Sequence, residues 1–331
     1  MDMSLGLNPK IDLEPALSWA PSNIALVKYW GKRDEALHLP THGSLSLSLG
    51  RYGTRTSLKW DTEASQDCLI MNQQLLLPKD SEFQRLKAFL DLFRPIEKGA
   101  YHLVTENNIP TAAGLASSAS GFAALVKALN QLHQLNLDVQ TLSRFARLGS
   151  GSACRSLEEG FVVWHAGQDA EGLDSYGQRL DIDWPELRWL VFMPSKEKKA
   201  VSSREAMKQT AKTCPWFAHW IECSRHWLIE AKQAVLEKDF TALGQIMEAS
   251  CLMMHASMIC SQPSLLYWKP QTLEMIRRIE EARSEGIACY FTIDAGPSVK
   301  VLYLEKDRAA LEAKIQDMGP LLWVNPWEKG T

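Results

Sequence analysis

Residues 44–49 alternate serine with leucine, the period-two pattern of a strand whose two faces differ. Ile24, Leu26 and Lys28 alternate in the same way up to a turn at residues 31–34, and residues 52–60 resume the pattern. Residues 19–60 therefore predict an antiparallel sheet with one wet face. Helical spacing follows at Phe83, Leu86, Phe89, Leu90 and Phe93, more strongly at Phe122, Leu125, Val126, Leu129 and Leu132, and again at Leu142, Phe145 and Leu148. Strand patterns return at 160–165 and 187–193. Residues 194–203 are charged and aperiodic, a linker or an active-site loop. Beyond them, 216–243 and 252–279 predict helices, then come a strand at 287–293, a turn at 294–298, a strand at 299–304 and a helix from Arg308. Strands and helices mix without strict βαβ alternation, which places the chain in the α+β class, with a boundary near residue 190 dividing 1–190 from 191–331.

With 331 residues, 46% hydrophobic and 23% charged, the chain is long enough for about two domains with full cores. The net charge of -3 gives no basic surplus for nucleic acid or an anionic membrane, so an anionic substrate must be met by local lysines and arginines. Seven cysteines are scattered without a CxxC pair or zinc spacing, as expected of reduced thiols in a cytoplasmic protein. Nowhere do eighteen apolar residues run together, so neither secretion nor a membrane location is expected.

Candidate chemistry gathers in a few small-residue turns. Residues 107–125, NNIPTAAGLASSASGFAAL, run from a turn into a helical pattern; small side chains at Ala112, Ala113, Gly114 and Ala116 let a polyanion approach backbone N–H groups at a helix N-terminus. Ser117 and Ser118 add hydroxyls for phosphate or magnesium, and spacing does not choose between them. A turn that merely caps a buried helix has the same composition. Lys28, Tyr29, Lys32 and Arg33 form either a converging anion site or a solvated basic turn. Ser150, Ser152 and Arg155 share a turn in which arginine either holds a carboxylate or stands outside a capped helix. Residues 193–207 supply Lys196, Lys198, Lys199, Ser202, Ser203 and Arg204, a ligand loop or a solvated face. Asp294, in FTIDAGPS, ends an apolar strand before a tight turn, as an Asx turn or as a carboxylate held beside a ligand. No Walker A, HExxH or GxSxG pattern occurs, His42, His165, His219 and His255 do not converge in sequence, and the twelve tryptophans read as core or interface.

Taken in order, ALVKYWGKRDEALHLP, SLSLSLG, ENNIPTAAGLASSASGFAAL, GSGSACRSL, VSSREAM, MMHASM and FTIDAGPS resemble the diphosphomevalonate decarboxylase family of the GHMP kinase superfamily, over most of the chain. The resemblance implies an N-terminal α/β domain with a left-handed crossover, packed on a ferredoxin-like C-terminal domain, and a homodimer. It implies ATP-dependent, magnesium-assisted conversion of mevalonate 5-diphosphate to isopentenyl diphosphate, with release of ADP, phosphate and carbon dioxide. By the same resemblance Asp294 orients the 3-hydroxyl or acts as its base, Lys32 neutralises the transferred phosphate and Arg155 positions the carboxylate. Tyr29, Ser150, Ser152, Ser202, Ser203, Arg204 and Met207 match positions that bind the substrate chain or its diphosphate. Pro110, Ala112, Ala113, Gly114, Leu115, Ala116, Ser117, Ser118 and Ser120 match the nucleotide loop, with Ser117 or Ser118 on the metal. The chain departs from the family pattern at His42-Gly43, Glu159 and Ser298. A kinase that phosphorylates the 3-hydroxyl without decarboxylation and a non-catalytic ligand sensor are the rival functions; retention of Asp294, Lys32 and Arg155 together speaks against the first, and the sequence shows no loss of an essential acid or phosphate loop that would favour the second.

Overall fold

The computed structural model describes residues 14–95, 98–109, 117–194 and 201–330. Its strands are β1 (Ala16–Val27), β2 (Lys32–Asp34), β3 (Leu39–Pro40), β4 (Ser44–Asp61), β5 (Cys68–Met71), β6 (Gln74–Leu75), β7 (Ala100–Asn107), β8 (Phe161–Trp164), β9 (Gly177–Arg179), β10 (Leu187–Phe192), β11 (Cys289–Ile293), β12 (Val299–Leu304) and β13 (Leu321–Val324). The helices are α1 (Ser81–Leu90), α2 (Ser117–Leu132), α3 (Val139–Gly149), α4 (Ser203–Thr213), α5 (Phe217–Glu237), α6 (Phe240–Ile259), α7 (Pro270–Ser284) and α8 (Arg308–Ile315).

The long strand β4 organises a seven-stranded sheet. It pairs with β1 along one edge and with β7 and then β8 along the other, and the order runs β6-β5-β7-β4-β8-β9. Only β5 and β7 pair in parallel among the described strands of this sheet. A second sheet, β11-β12-β10-β13, is antiparallel throughout. A core of Phe89, Phe122, Leu129 and Phe145 lies under α1, α2 and α3. Between the two sheets, Leu45, Leu47 and Phe161 share a core with Trp189, Val191 and Leu302 and with Val235, Leu243 and Met247 of α5 and α6. Leu190, Phe291, Val301 and Tyr303 fill the far face of the four-stranded sheet with Met275 and Ile279 of α7 and Leu311 of α8.

The wet face predicted for 19–60 is dry along the Ser-Leu strand. Ser44, Ser46 and Ser48 are as buried as the leucines between them. α2 packs across β1 and β4, and each serine hydroxyl is satisfied inside the protein. Ser44 accepts from Arg155, Ser46 donates to the Val162 carbonyl, and Ser48 accepts from Gly160 N–H. The two long predicted helices are also interrupted. Residues 216–243 break at Lys238, in the left-handed region at φ 54°, after which Asp239 caps α6 by accepting from Ala242 N–H. Residues 252–279 break after Ile259; Pro263 has no N–H to continue a helix, and α7 restarts at Pro270. Helix α4 begins at the end of the aperiodic stretch 194–203 and runs through residues for which no element was predicted; Ser202 and Glu205 form a reciprocal capping box, the S-x-x-E signal that marks its start.

Candidate functional site

One cavity of about 750 Å³ is lined by the residues after β1, the start of α1, the N-terminal end of α2, the 3-10 turn Gly151–Arg155, the start of α4 and the turn after β11. The cavity gathers Tyr29, Lys32, Ser118, Ser150, Ser152, Arg155, Ser202, Ser203, Arg204, Met207 and Asp294, residues spread over some 270 positions of chain. Trp30, Met207, Trp220, Met254 and Ala295 form an apolar cluster beside it, which ties α4 and α6 to the turn that carries Asp294.

Asp294 is gripped from two sides. Lys28 Nζ lies 2.8 Å from Oδ1 and Lys300 Nζ lies 3.1 Å from Oδ2. The lysine side chains are 2% and 1% exposed, whereas the aspartate keeps 34% and faces the cavity. Burial by itself would raise the pKa of the carboxyl, but the two ammonium groups outweigh it and hold Asp294 ionised, well below the ordinary carboxylate range. Lys300 in turn is pushed down by burial, against the pull of Asp294. Motif order alone does not say which cations stand beside this aspartate. The structure puts Lys28 and Lys300 there, while Lys32 pairs with Glu35 at 2.9 Å and lines the cavity wall.

Arg155 is buried, and among the described residues no carboxylate pairs with it, although the charge of Asp294 acts on it at longer range. Its guanidinium donates to Asn23 Oδ1 and Ser44 Oγ, both neutral, and it stands 5.9 Å from the Trp164 ring centre. Burial lowers its pKa. Tyr29 packs edge-on against Trp164 at 4.6 Å, with its hydroxyl buried and no hydrogen-bond partner among the described residues, and burial raises the pKa of that phenol. A side chain at Gly151 would meet this hydroxyl at 2.8 Å, so the turn needs glycine for tyrosine to reach the cavity. His38, on the same cavity, is pushed down to about 4 by burial and then by Lys32, and is neutral near pH 7.

A second cavity of about 260 Å³ adjoins the first and shares Glu82, Arg85 and Ser118 with it. Thr54, Asn72, Phe122 and Leu125 line its interior, and Ser117 lies on its wall. Ser118 Oγ is 3.3 Å from Ser150 Oγ, so one hydroxyl pair joins the two cavities. Ser120 lies elsewhere: it is fully buried, bonded to Ser22 and Thr54, and fastens α2 to the sheet. Pro110, Ala112, Ala113, Gly114, Leu115 and Ala116 lie outside the described residues, as do Lys196, Lys198 and Lys199. Arg33 turns away from its neighbours to bond the Asp169 carbonyl at 2.9 Å and lines a different cleft. Among the described residues no three His, Cys, Asp or Glu side chains converge as a metal site.

Sequence reading gave no role to Lys300, Glu82 or Arg85, and took Lys28 only as one of a basic cluster. Lys300 was detectable: it is the lysine in the otherwise apolar strand VKVLYL, and a lysine buried in a sheet requires an anionic partner.

Residues 20–177 match the diphosphomevalonate decarboxylase-like N-terminal domain, and residues 189–321 match the mevalonate 5-diphosphate decarboxylase C-terminal domain. The diphosphomevalonate decarboxylase of Aspergillus fumigatus is 37% identical over 92% of this chain and 81% of its own length. That of Saccharomyces cerevisiae is 37% identical over 89% and 79%. Mevalonate diphosphate decarboxylase from Staphylococcus aureus superposes with a TM-score of 0.90 at 34% identity, covering 96% of this chain and 97% of that one. The complex of MDDEF with MVAPP, AMPPCP and magnesium superposes with a TM-score of 0.86 at 38% identity, covering 94% and 99%. No described helix is long and apolar enough to cross a membrane.

Proposed function

The chain belongs to the diphosphomevalonate decarboxylase family, and from that premise we propose how its cavities divide the work of ATP-dependent decarboxylation of mevalonate 5-diphosphate. The reaction yields isopentenyl diphosphate, ADP, phosphate and carbon dioxide. The observation that carries the assignment is a buried arginine, Arg155, that forms no ion pair among the described residues and shares a cavity with an ionised aspartate, Asp294. An anionic ligand completes the first, and a hydroxyl donor completes the second.

Arg155 receives the substrate carboxylate. A tight ion pair stabilises the ground state that decarboxylation must destroy, so the value of this contact lies in holding the carboxylate opposite the departing phosphate. The Tyr29 hydroxyl and the hydroxyls of Ser150 and Ser152 offer hydrogen bonds on the same wall. Ser202, Ser203 and Arg204, at the first turn of α4, meet the diphosphate, where helix N–H groups and the dipole favour negative charge. Met207 packs along the carbon chain.

Asp294 accepts a hydrogen bond from the 3-hydroxyl. Held ionised by two ammonium groups, it is a weak base, so it orients the hydroxyl for in-line attack and takes the proton late, as the bond to phosphorus forms. The new phosphate then leaves with the C–O electron pair, and the electrons of the breaking C–C bond to the carboxylate form the double bond. Lys32 offsets charge on the transferred phosphoryl group.

ATP occupies the smaller cavity with its phosphates directed to Ser118, and Glu82 and Arg85 flank it. The donor set there suits magnesium brought in on the nucleotide, since hydroxyl and isolated carboxylate oxygens serve a hard cation that keeps phosphate and water ligands. Ser117 or Ser118 would hold it, and the ion would neutralise charge on the nucleotide phosphates. We assign the left-handed crossover to the β5-α1-β7 connection, a ferredoxin-like fold to the C-terminal domain, the domain boundary to residues near 190, a homodimer as the assembly and the cytoplasm as the location.

The test is to incubate the protein with magnesium and ATP and, separately, mevalonate, its 5-phosphate and its 5-diphosphate. Equal ADP and carbon dioxide from the 5-diphosphate alone is the expected result. ADP without carbon dioxide would instead make it a 3-kinase, and binding without either product a sensor.

A further inference from the structure

We infer that Lys300 is a positioning residue for this reaction, a buried cation that acts on the substrate only through Asp294. The inference rests on the function proposed above and extends it to a residue that does not touch the cavity.

Lys300 sits on β12, the central strand between β10 and β11, opposite Val191 and Thr292. That face otherwise carries Leu302, Val191 and Trp189 of the inter-sheet core. An isolated ammonium in such a place loses several kcal/mol of hydration, and the usual outcome is loss of the proton or of the residue. Here the ammonium is retained because Asp294 Oδ2 lies 3.1 Å away and the Ser298 carbonyl 3.3 Å away. These two acceptors are the ends of the turn that carries the aspartate. Gly296 N–H donates to the Asp294 carbonyl at 2.7 Å, and Thr272 Oγ1 donates to the Pro297 carbonyl at 2.8 Å. The turn is thus pinned at four points, and Lys300 is the group that joins its backbone to the reactive carboxylate.

The two lysines differ in what they can reach. Lys28 lines the cavity and can meet the transferred phosphoryl group as well as Asp294. Lys300 lies behind the carboxylate and is absent from the cavity wall. Each carboxylate oxygen has roughly two acceptor positions. One ammonium on each oxygen fills one position apiece, fixes the carboxylate plane and leaves the outward positions to the 3-hydroxyl. Without Lys300 the Asp294 side chain is free to rotate about Lys28, and one of the two charges that hold it ionised is gone.

Lys300→Met keeps the length and apolar stem and removes the charge. The experiment measures kcat, KM and the pH dependence of kcat for wild type, Lys300→Met and Lys300→Arg, each normalised to folded protein by circular dichroism. In Lys300→Met, kcat is expected to fall by about 10- to 100-fold with KM for the diphosphate substrate changed less than about threefold. The acid limb of kcat is expected to move up by about one pH unit, because one of two opposing charges has been removed. Lys300→Arg, which keeps the charge, is expected to recover most of kcat and return the limb to its wild-type position. Wild-type kcat in Lys300→Met, or a loss that Lys300→Arg does not recover although it folds, would overturn the inference. If Lys300→Met does not fold, Lys300→Gln takes its place; failure of both to fold makes the lysine a folding determinant and also overturns it. A wild-type protein that releases no carbon dioxide overturns the reading of function instead, so the two failures are distinguishable.

Discussion

The two charged walls of the cavity solve the burial of charge in opposite ways. At one, Asp294 is matched by Lys28 and Lys300, and every ion has its partner in the free protein. At the other, Arg155 is as deeply buried but bonded only to the neutral oxygens of Asn23 and Ser44. The first wall is organised before substrate arrives; the second is completed by it. Reaction geometry is set where the protein already pays the desolvation, and affinity is drawn from where a charge still lacks its complement.

The largest effect that would break this contrast is on turnover. Asp294→Asn should leave ATP and substrate binding largely intact and slow turnover by at least ~10²-fold, read by steady-state release of carbon dioxide; near-normal turnover removes Asp294 from the mechanism. Arg155→Met should lower kcat, because the carboxylate is no longer positioned, and in addition raise KM for the diphosphate substrate by about 10-fold or more. An unchanged KM there would mean that the arginine is only a packing group.

Stability of the free protein should separate the same two variants in the same order. Removing Asp294 leaves two buried ammonium groups unpaired and is expected to lower stability by about 2 kcal/mol in urea unfolding. Removing Arg155 deletes a buried charge that had no ionic partner, so Arg155→Met is expected within about 1 kcal/mol of the parent. Equal losses would erase the distinction between the walls.

The smallest effect concerns pH. His255 lies behind Asp294, bonded to the Ile293 carbonyl at 3.3 Å, and is pushed down to about 3 by burial and then by Lys28. Below its ordinary value near 6.5 the unfolded chain binds the proton and the folded protein does not, so the stability is present above that pH and is lost as pH falls toward 3. His255 should contribute a loss of about 1 kcal/mol for the first unit below 6, and His255→Gln should flatten that part of the urea-midpoint profile. An unaltered slope would mean that His255 does not stay neutral in the fold.

The residues with short-range signals were legible in the chain. Arg155 in its small-residue turn, Asp294 before Gly-Pro and Ser202 in its run of hydroxyls and cations all stood out by local composition, and all lie on one cavity. The partners of Asp294 were not legible in the same way. Lys28 is 266 positions distant and was read as one of a basic cluster, and Lys300 was passed over as one polar residue in an apolar strand. The dry serine face of β4 was misread for a related reason: alternation shows that two faces differ, and whether the polar face meets water depends on what packs over it. The long helices were overextended because apolar spacing continues through Lys238 and Cys260, where the backbone turns out of the helix.

What the sequence determined by itself is what period, capping and motif order can encode: the α+β class, the places where strands and helices lie, and the small-residue turns that resemble one enzyme family. These depend on neighbours a few residues apart, whose chemistry the chain states directly. Only the tertiary structure decided which cations hold Asp294, which arginine is left without an anion, and which hydroxyl faces a cavity and which a core. Those are outcomes of burial and of distances between residues far apart in the chain, where the loss of hydration makes a charge's partner matter far more than its place in the sequence.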